Sequence, residues 1–114
     1  IMLANNICDI EDDVINRRYT LPYFIGRKYG ILLFEVLYGL AYVFILLAVI
    51  LSWLPITCLL VFITIIPVSK GLKAFRHEQT KAETFVVSVK SFIMIGGATI
   101  VSLLLSIVIQ GLIK

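Results

Sequence analysis

Asn5, Asp9 and Asp13 stand four residues apart in the stretch NNICDIEDD at 5–13, with Asn6, Glu11 and Asp12 among them. On a helix, residues four apart share a face and lie about 6 Å apart along the axis. With Asn5 as origin and about 100° per residue, Asp9, Asp12 and Asp13 fall within roughly 80° of it, while Glu11 lies on the other side. Carboxylates crowded on one stripe repel one another unless cations sit among them. Hard oxygen ligands at this spacing suit Mg²⁺, which keeps part of its water shell and bridges protein carboxylates to phosphate. Arg17 and Arg18 follow directly, and guanidinium forks take phosphate oxygens in pairs. The same residues admit a plainer interpretation, an acidic helix end in water with its charges paired to Arg17, Arg18, Arg27 and Lys28. An EF-hand is excluded, because the glycine and the twelfth-position glutamate of such a loop are missing.

The elements that must hold this stripe are apolar. The chain of 114 residues is 61% hydrophobic and 15% charged, with mean hydropathy +1.06, more apolar surface than a soluble domain of this length can bury. An all-α integral membrane protein is expected. Charges at the edge of lipid are expensive and tend to be functional. The basic residues lie in two connectors between apolar spans, not in a nucleic-acid footprint, so nucleic acid is not an expected partner. Cys8 and Cys58 have no metal-ligand spacing and read as packing residues. The chain opens inside the apolar run IMLA, lacks the pattern of a secretory leader and closes at Lys114 within apolar sequence. It is therefore expected to be part of a longer polypeptide.

Three membrane spans are predicted at 31–54, 55–69 and 91–113, after an aspartate-rich helix end and loop at 1–29. The first exceeds the roughly 20 residues that a bilayer core requires, and Glu35 lies near its start. Ser52–Trp53–Leu54 reads as a tight hairpin, with Pro55 in the first turn of the second span. That span is short, and Pro67 should bend or end it. Thr80 and Glu83 have the form of a capping box opening the third helix, whose first turns up to Lys90 lie at the interface. Gly96, Gly97 and Ala98 offer either a close helix approach or a kink. Lys90 reads as a snorkelling interfacial lysine, His77 as solvated, and Tyr19 and Tyr23 as interfacial aromatics.

Cationic residues mark the cytoplasmic side. Arg17, Arg18, Arg27 and Lys28 precede the first span, the hairpin carries none, and Lys70, Lys73, Arg76 and Lys81 lie in the connector at 70–90. Two crossings return the chain to one side, so both basic connectors, and the aspartate stripe with them, are expected at the cytoplasmic face of the cell membrane.

The segment LANNICDIEDDVINRRYTLPYFIG (3–26) resembles the second aspartate-rich region of UbiA-type intramembrane prenyltransferases. It is most similar to the dihydroxynaphthoate polyprenyltransferases of menaquinone synthesis. Asn5–Asn6, Asp9-x-x-x-Asp13, Arg18, Thr20–Leu21 and Gly26 carry the likeness, and ETFVVSVKSF (83–92) resembles the entry to that family's last helix. The resemblance implies a bundle of about nine helices, of which this chain would be roughly the C-terminal third. The first aspartate-rich loop would lie elsewhere in the same polypeptide. Arg17 stands where the family usually has glycine and Tyr19 where it has lysine; Asn16 is then expected to supply the positive φ that glycine would allow.

What the resemblance implies chemically is transfer of a polyprenyl group from its diphosphate to 1,4-dihydroxy-2-naphthoate with decarboxylation, giving demethylmenaquinone. Asp9, Asp13 and Asn5 would hold Mg²⁺. Arg17 and Arg18, with Asn5 and Asn6, would bind the diphosphate. Hydroxybenzoate or haem as acceptor remains open within the same superfamily, and a non-catalytic transporter or structural subunit outside it. The Asp-Gly-x-x-Ala-Arg opening of CDP-alcohol phosphotransferases is not found.

Overall fold

The computed structural model describes residues 1–80 and 85–114, and these form helices joined by short turns, with no strand among them. In chain order they are α1 (Met2–Cys8), α2 (Ile10–Ile15), α3 (Leu21–Ile25), α4 (Arg27–Ile50), a 3-10 helix (Ile56–Thr64), α5 (Ile65–His77) and α6 (Phe85–Ile113). The expected capping pair Thr80–Glu83 lies partly outside the described residues, as does Lys81.

Three helical stretches, Arg27–Ile50, Ile56–His77 and Phe85–Ile113, are long and apolar enough to cross a membrane. Their limits differ from the expected spans in instructive ways. α4 starts at Arg27 because Gly26, at φ 85°, turns the chain sharply out of α3. Glu35 therefore sits about two turns inside the helix and not at its start. Pro55 is extended and precedes the 3-10 helix as its cap, outside the first turn. Pro67 neither ends nor breaks the second crossing. α-Helical winding begins only at Ile65, so Pro67 falls in the first α-helical turn, a position that tolerates proline. The helix then runs through the charged residues at 70–77, where the sequence predicts a connector.

The 3-10 winding also removes the apparent shortness of this crossing. Nine residues at about 2.0 Å each and thirteen at about 1.5 Å give roughly 38 Å, enough for a hydrocarbon core of about 30 Å. Its inward side chains follow the winding. Cys58, Val61 and Thr64 repeat every third residue, and Val68, Leu72 and Phe75 continue the same face at α-helical spacing.

Two apolar clusters hold the helices together. At the charged end, Ala4, Ile7, Ile31, Phe34 and Phe75 are buried against one another, with the Phe34 and Phe75 rings 4.6 Å apart. Deeper in the bundle, Tyr42, Val61 and Val68 pack with Tyr38, Met94 and Ala98 at their edge. Thr64 Oγ1 donates to the Val61 carbonyl at 2.6 Å, so the Tyr42 hydroxyl, also 2.6 Å away, donates to Thr64. Such interhelical bonds contribute about 0.6 kcal/mol each in membranes.

α6 makes its close approach with serines. Its buried residues are Ser88, Ser91, Ser102 and Ser106, and Thr57 Oγ1 donates to the Ser102 carbonyl at 2.7 Å. Neither expectation for Gly96–Gly97 is met within this chain. α6 is unbroken there, and a Cβ on either glycine would meet nothing within 4 Å. Close approach needs a glycine instead at Gly71 on α5, where a Cβ would lie 2.8 Å from Val87 Cγ1.

Candidate functional site

The aspartate stripe lies on α1 and α2, which the sequence presents as one helix and the structure divides at Asp9. That residue has φ −100° and ψ 11°, outside the helical region, yet two backbone hydrogen bonds meet at it. Asp9 N–H donates to the Asn5 carbonyl at 3.0 Å, and Asp13 N–H to the Asp9 carbonyl at 2.8 Å. The single helix expected over 5–13 is thus broken at Asp9, with Asn5, Asp9 and Asp13 joined across the break by these two bonds. The opposite face is anchored by Ala4 and Ile7, fully buried in the charged-end cluster. Gly30 of α4 allows that seating, since a Cβ there would come within 3.3 Å of Ile7 Cγ1.

Burial separates the acids. Asp13 is only 7% exposed, and Asn5, Asn6 and Asp9 are half-buried, whereas Glu11 and Asp12 are exposed. Asp13 Oδ1 lies 3.9 Å from Arg18 Nη1, a charge pair too long to be a hydrogen bond. Glu11, off the stripe as expected, is bound elsewhere: Arg27 Nη2 donates to both its oxygens, at 2.7 and 2.8 Å. A backbone N–H and, after it, the Arg27 guanidinium hold the Glu11 carboxyl below the usual carboxylate range, against desolvation.

α2 ends in a Schellman motif. Arg17 N–H donates to the Val14 carbonyl at 3.0 Å and Arg18 N–H to the Asp13 carbonyl at 2.7 Å. The residue that turns left-handed is Arg17, at φ 56°, while Asn16 remains at φ −86°. The expectation for Asn16 is thereby corrected: it closes the helix by donating its side-chain amide to the Asp12 carbonyl at 2.8 Å. Positive φ falls at the position that the family resemblance assigns to glycine. Tyr19, at the other departure, stacks on Tyr23 with ring centroids 4.9 Å apart. Both rings are exposed.

An ion pair missed in the sequence lies across the bundle. Arg76 Nε and Nη2 grip the two oxygens of Glu35 at 2.8 and 2.5 Å. The available signal was a lone carboxylate inside an apolar helix, which requires a cation from another element. Lys90 and His77 are exposed, Cys58 is buried and Cys8 half-buried, and neither cysteine is in a disulfide.

Beside α1, an apolar groove of about 340 Å³ runs between α4 and α6, with Leu3, Phe34, Leu37, Tyr38, Phe92 and Ile95 among its walls. Among the described residues, no three His, Cys, Asp or Glu side chains come together as a metal-holding group. The chain offers two carboxylates and amide oxygens on successive turns, the hard donor set that Mg²⁺ takes when phosphate and water complete it. No family model matches this chain, and no curated protein or solved structure matches it either.

Proposed function

We propose that this chain is the C-terminal part of a Mg²⁺-dependent intramembrane prenyltransferase of the UbiA type. It would transfer a polyprenyl group from its diphosphate to 1,4-dihydroxy-2-naphthoate. One observation carries this reading. Asn5, Asp9 and Asp13 are joined in succession by backbone hydrogen bonds across the break between α1 and α2, and α2 ends at Arg17 and Arg18, with Arg17 left-handed where such enzymes have glycine.

Asp9, Asp13 and Asn5 would hold Mg²⁺, which supplies charge neutralisation of the departing diphosphate when bound. Arg18, 72% exposed at its side chain, keeps donors available for phosphate oxygens, and Arg17 lies exposed next to it. The diphosphate leaves as the allylic C–O bond breaks. The electron-rich ring bonds to that carbon, and its carboxyl group departs as carbon dioxide. The groove beside α1 suits an isoprenoid tail, because its walls are apolar and exclude water from the reactive carbon. The remaining ligands and the acceptor pocket would come from the rest of the polypeptide, a bundle of about nine helices with the aspartate loop at the cytoplasmic face.

The Glu11–Arg27 and Asp13–Arg18 pairs favour a second reading, a non-catalytic membrane module whose acidic end is tied down by arginines. Asp9→Asn and Asp13→Asn in the complete polypeptide separate the two. Prenyl transfer predicts normal membrane expression with loss of Mg²⁺-dependent product from polyprenyl diphosphate and dihydroxynaphthoate. A structural role predicts lost expression. Product formed from hydroxybenzoate or haem instead would move the acceptor assignment within the superfamily.

A further inference from the structure

A second polar site lies apart from the aspartate stripe, where α4 begins and α5 ends. Arg27, Lys28, Arg76 and Gln79 rim a groove of about 450 Å³ whose floor is Ile31 and Leu32. Three cations around one depression would repel each other, and the structure relieves two of them. Glu11 neutralises Arg27 and Glu35 neutralises Arg76. Lys28 has no ion-pair partner among the described residues, so the groove keeps one net positive charge.

Donors are also left over. Arg27 uses only Nη2 on Glu11, and its Nε is buried with no hydrogen-bond partner. Arg76 commits Nε and Nη2 to Glu35, leaving Nη1. An orphaned guanidinium N–H is unfavourable unless an acceptor reaches it. One turn along α4 from Lys28, Leu32 is exposed and apolar, near the start of the first helix long and apolar enough to cross a membrane.

We propose that this groove binds the headgroup of a singly anionic phospholipid, with its phosphate on Arg27, Lys28 and Arg76 and the start of an acyl chain over Ile31 and Leu32. The residual charge matches one phosphodiester, and the unpartnered N–H groups supply donors for its oxygens. A soluble phosphate would leave the apolar floor unused, which is why the lipid is the occupant.

The test reconstitutes the full chain in nanodiscs containing phosphatidylglycerol and phosphatidylcholine in equal amounts, then reads retained lipids by native mass spectrometry. Wild type should retain phosphatidylglycerol in preference to phosphatidylcholine. Lys28→Gln should lower that preference about fivefold, and Arg27→Gln with Lys28→Gln roughly 30-fold, as expected for about 1 kcal/mol per surface cation. Lys70→Gln with Lys73→Gln, the same charge change on exposed residues of α5, should leave it unaltered. Equal loss in both double variants would reduce the effect to general surface charge and overturn the site, as would loss in neither. Displacement of the lipid by millimolar inorganic phosphate would also overturn it, in favour of a soluble anion. Should Arg27→Gln disturb folding, seen as lost helicity, Lys28→Gln alone decides, since Lys28 holds no ion-pair partner among the described residues.

Discussion

Two helices in this chain stop by the same backbone device, but the residues after the two stops differ. At Arg17 and at Ser52 the chain turns left-handed, at φ 56° and 62°. Ser52 N–H donates to the Val49 carbonyl at 3.0 Å and Trp53 N–H to the Ala48 carbonyl at 2.9 Å, the pairing also found at Arg17 and Arg18. After Ser52 come Trp53, Leu54 and Pro55, without charge, and the chain re-enters apolar structure. After Arg17 comes Arg18, exposed and facing the buried Asp13. The difference teaches that the turn itself is neutral with respect to function. Its surroundings decide whether it only reverses the chain or also presents cations to an anion. The two ends are also held differently. The charged end has its own buried cluster around Phe75, while the hairpin end is joined to α6 by the Thr57–Ser102 hydrogen bond.

The largest expected effect belongs to the charged end alone. Asp9→Asn or Asp13→Asn should lower the proposed Mg²⁺-dependent prenyl transfer by about 100-fold or more, as loss of a charge-stabilising group does elsewhere. Ser52→Ala at the other turn should leave the rate unchanged, and equal loss at both would erase the contrast. Next, Phe75→Ala should destabilise the purified protein by about 3 kcal/mol in thermal melts, because a fully buried ring leaves a cavity.

Arg17→Gly and Ser52→Gly should each raise stability by roughly 0.5 kcal/mol. Relief of left-handed strain outweighs the added freedom of glycine in the unfolded chain. Only Arg17→Gly should also weaken diphosphate binding, measured as a raised KM; a matching rise for Ser52→Gly would contradict the division of roles. Thr57→Val should cost about 0.6 kcal/mol, far less than Phe75→Ala.

The smallest effect is on pH. The folded pKa of Glu11 lies below its ordinary 4.5, so its pairing stabilises the fold above that value and is lost as pH falls through the folded pKa. Wild type should therefore melt slightly above Glu11→Gln at neutral pH, with the two converging in acid.

Much of this arrangement was legible in the sequence. Hydropathy located the apolar crossings, while the single helix expected over 5–13 is broken at Asp9, where two backbone bonds still join Asn5, Asp9 and Asp13. The pair Glu35–Arg76 was not legible, since it joins residues 41 positions apart and depends on how the helices cross, whereas Arg27 already stood among the cations expected to pair with the acidic helix end. The choice of Arg17 over Asn16 for positive φ was missed because residue preference favours asparagine there, whereas the motif's hydrogen bonds fix the position by counting from the helix end. The serine face of α6 was overlooked for a similar reason. Glycines advertise close approach, yet a Cβ on Gly96 or Gly97 would meet nothing within 4 Å.

The tightly wound segment at Ile56–Thr64 has a consequence for how this chain tolerates change in length. Its side chains recur every three residues, so deleting three would keep Cys58-type positions facing inward and rotate nothing downstream. It would, however, draw everything after it along the helix axis by about 6 Å. Arg76 would then miss Glu35, although every apolar contact still pointed the right way. Depth and facing are set separately in this crossing, and only depth carries the charge into register.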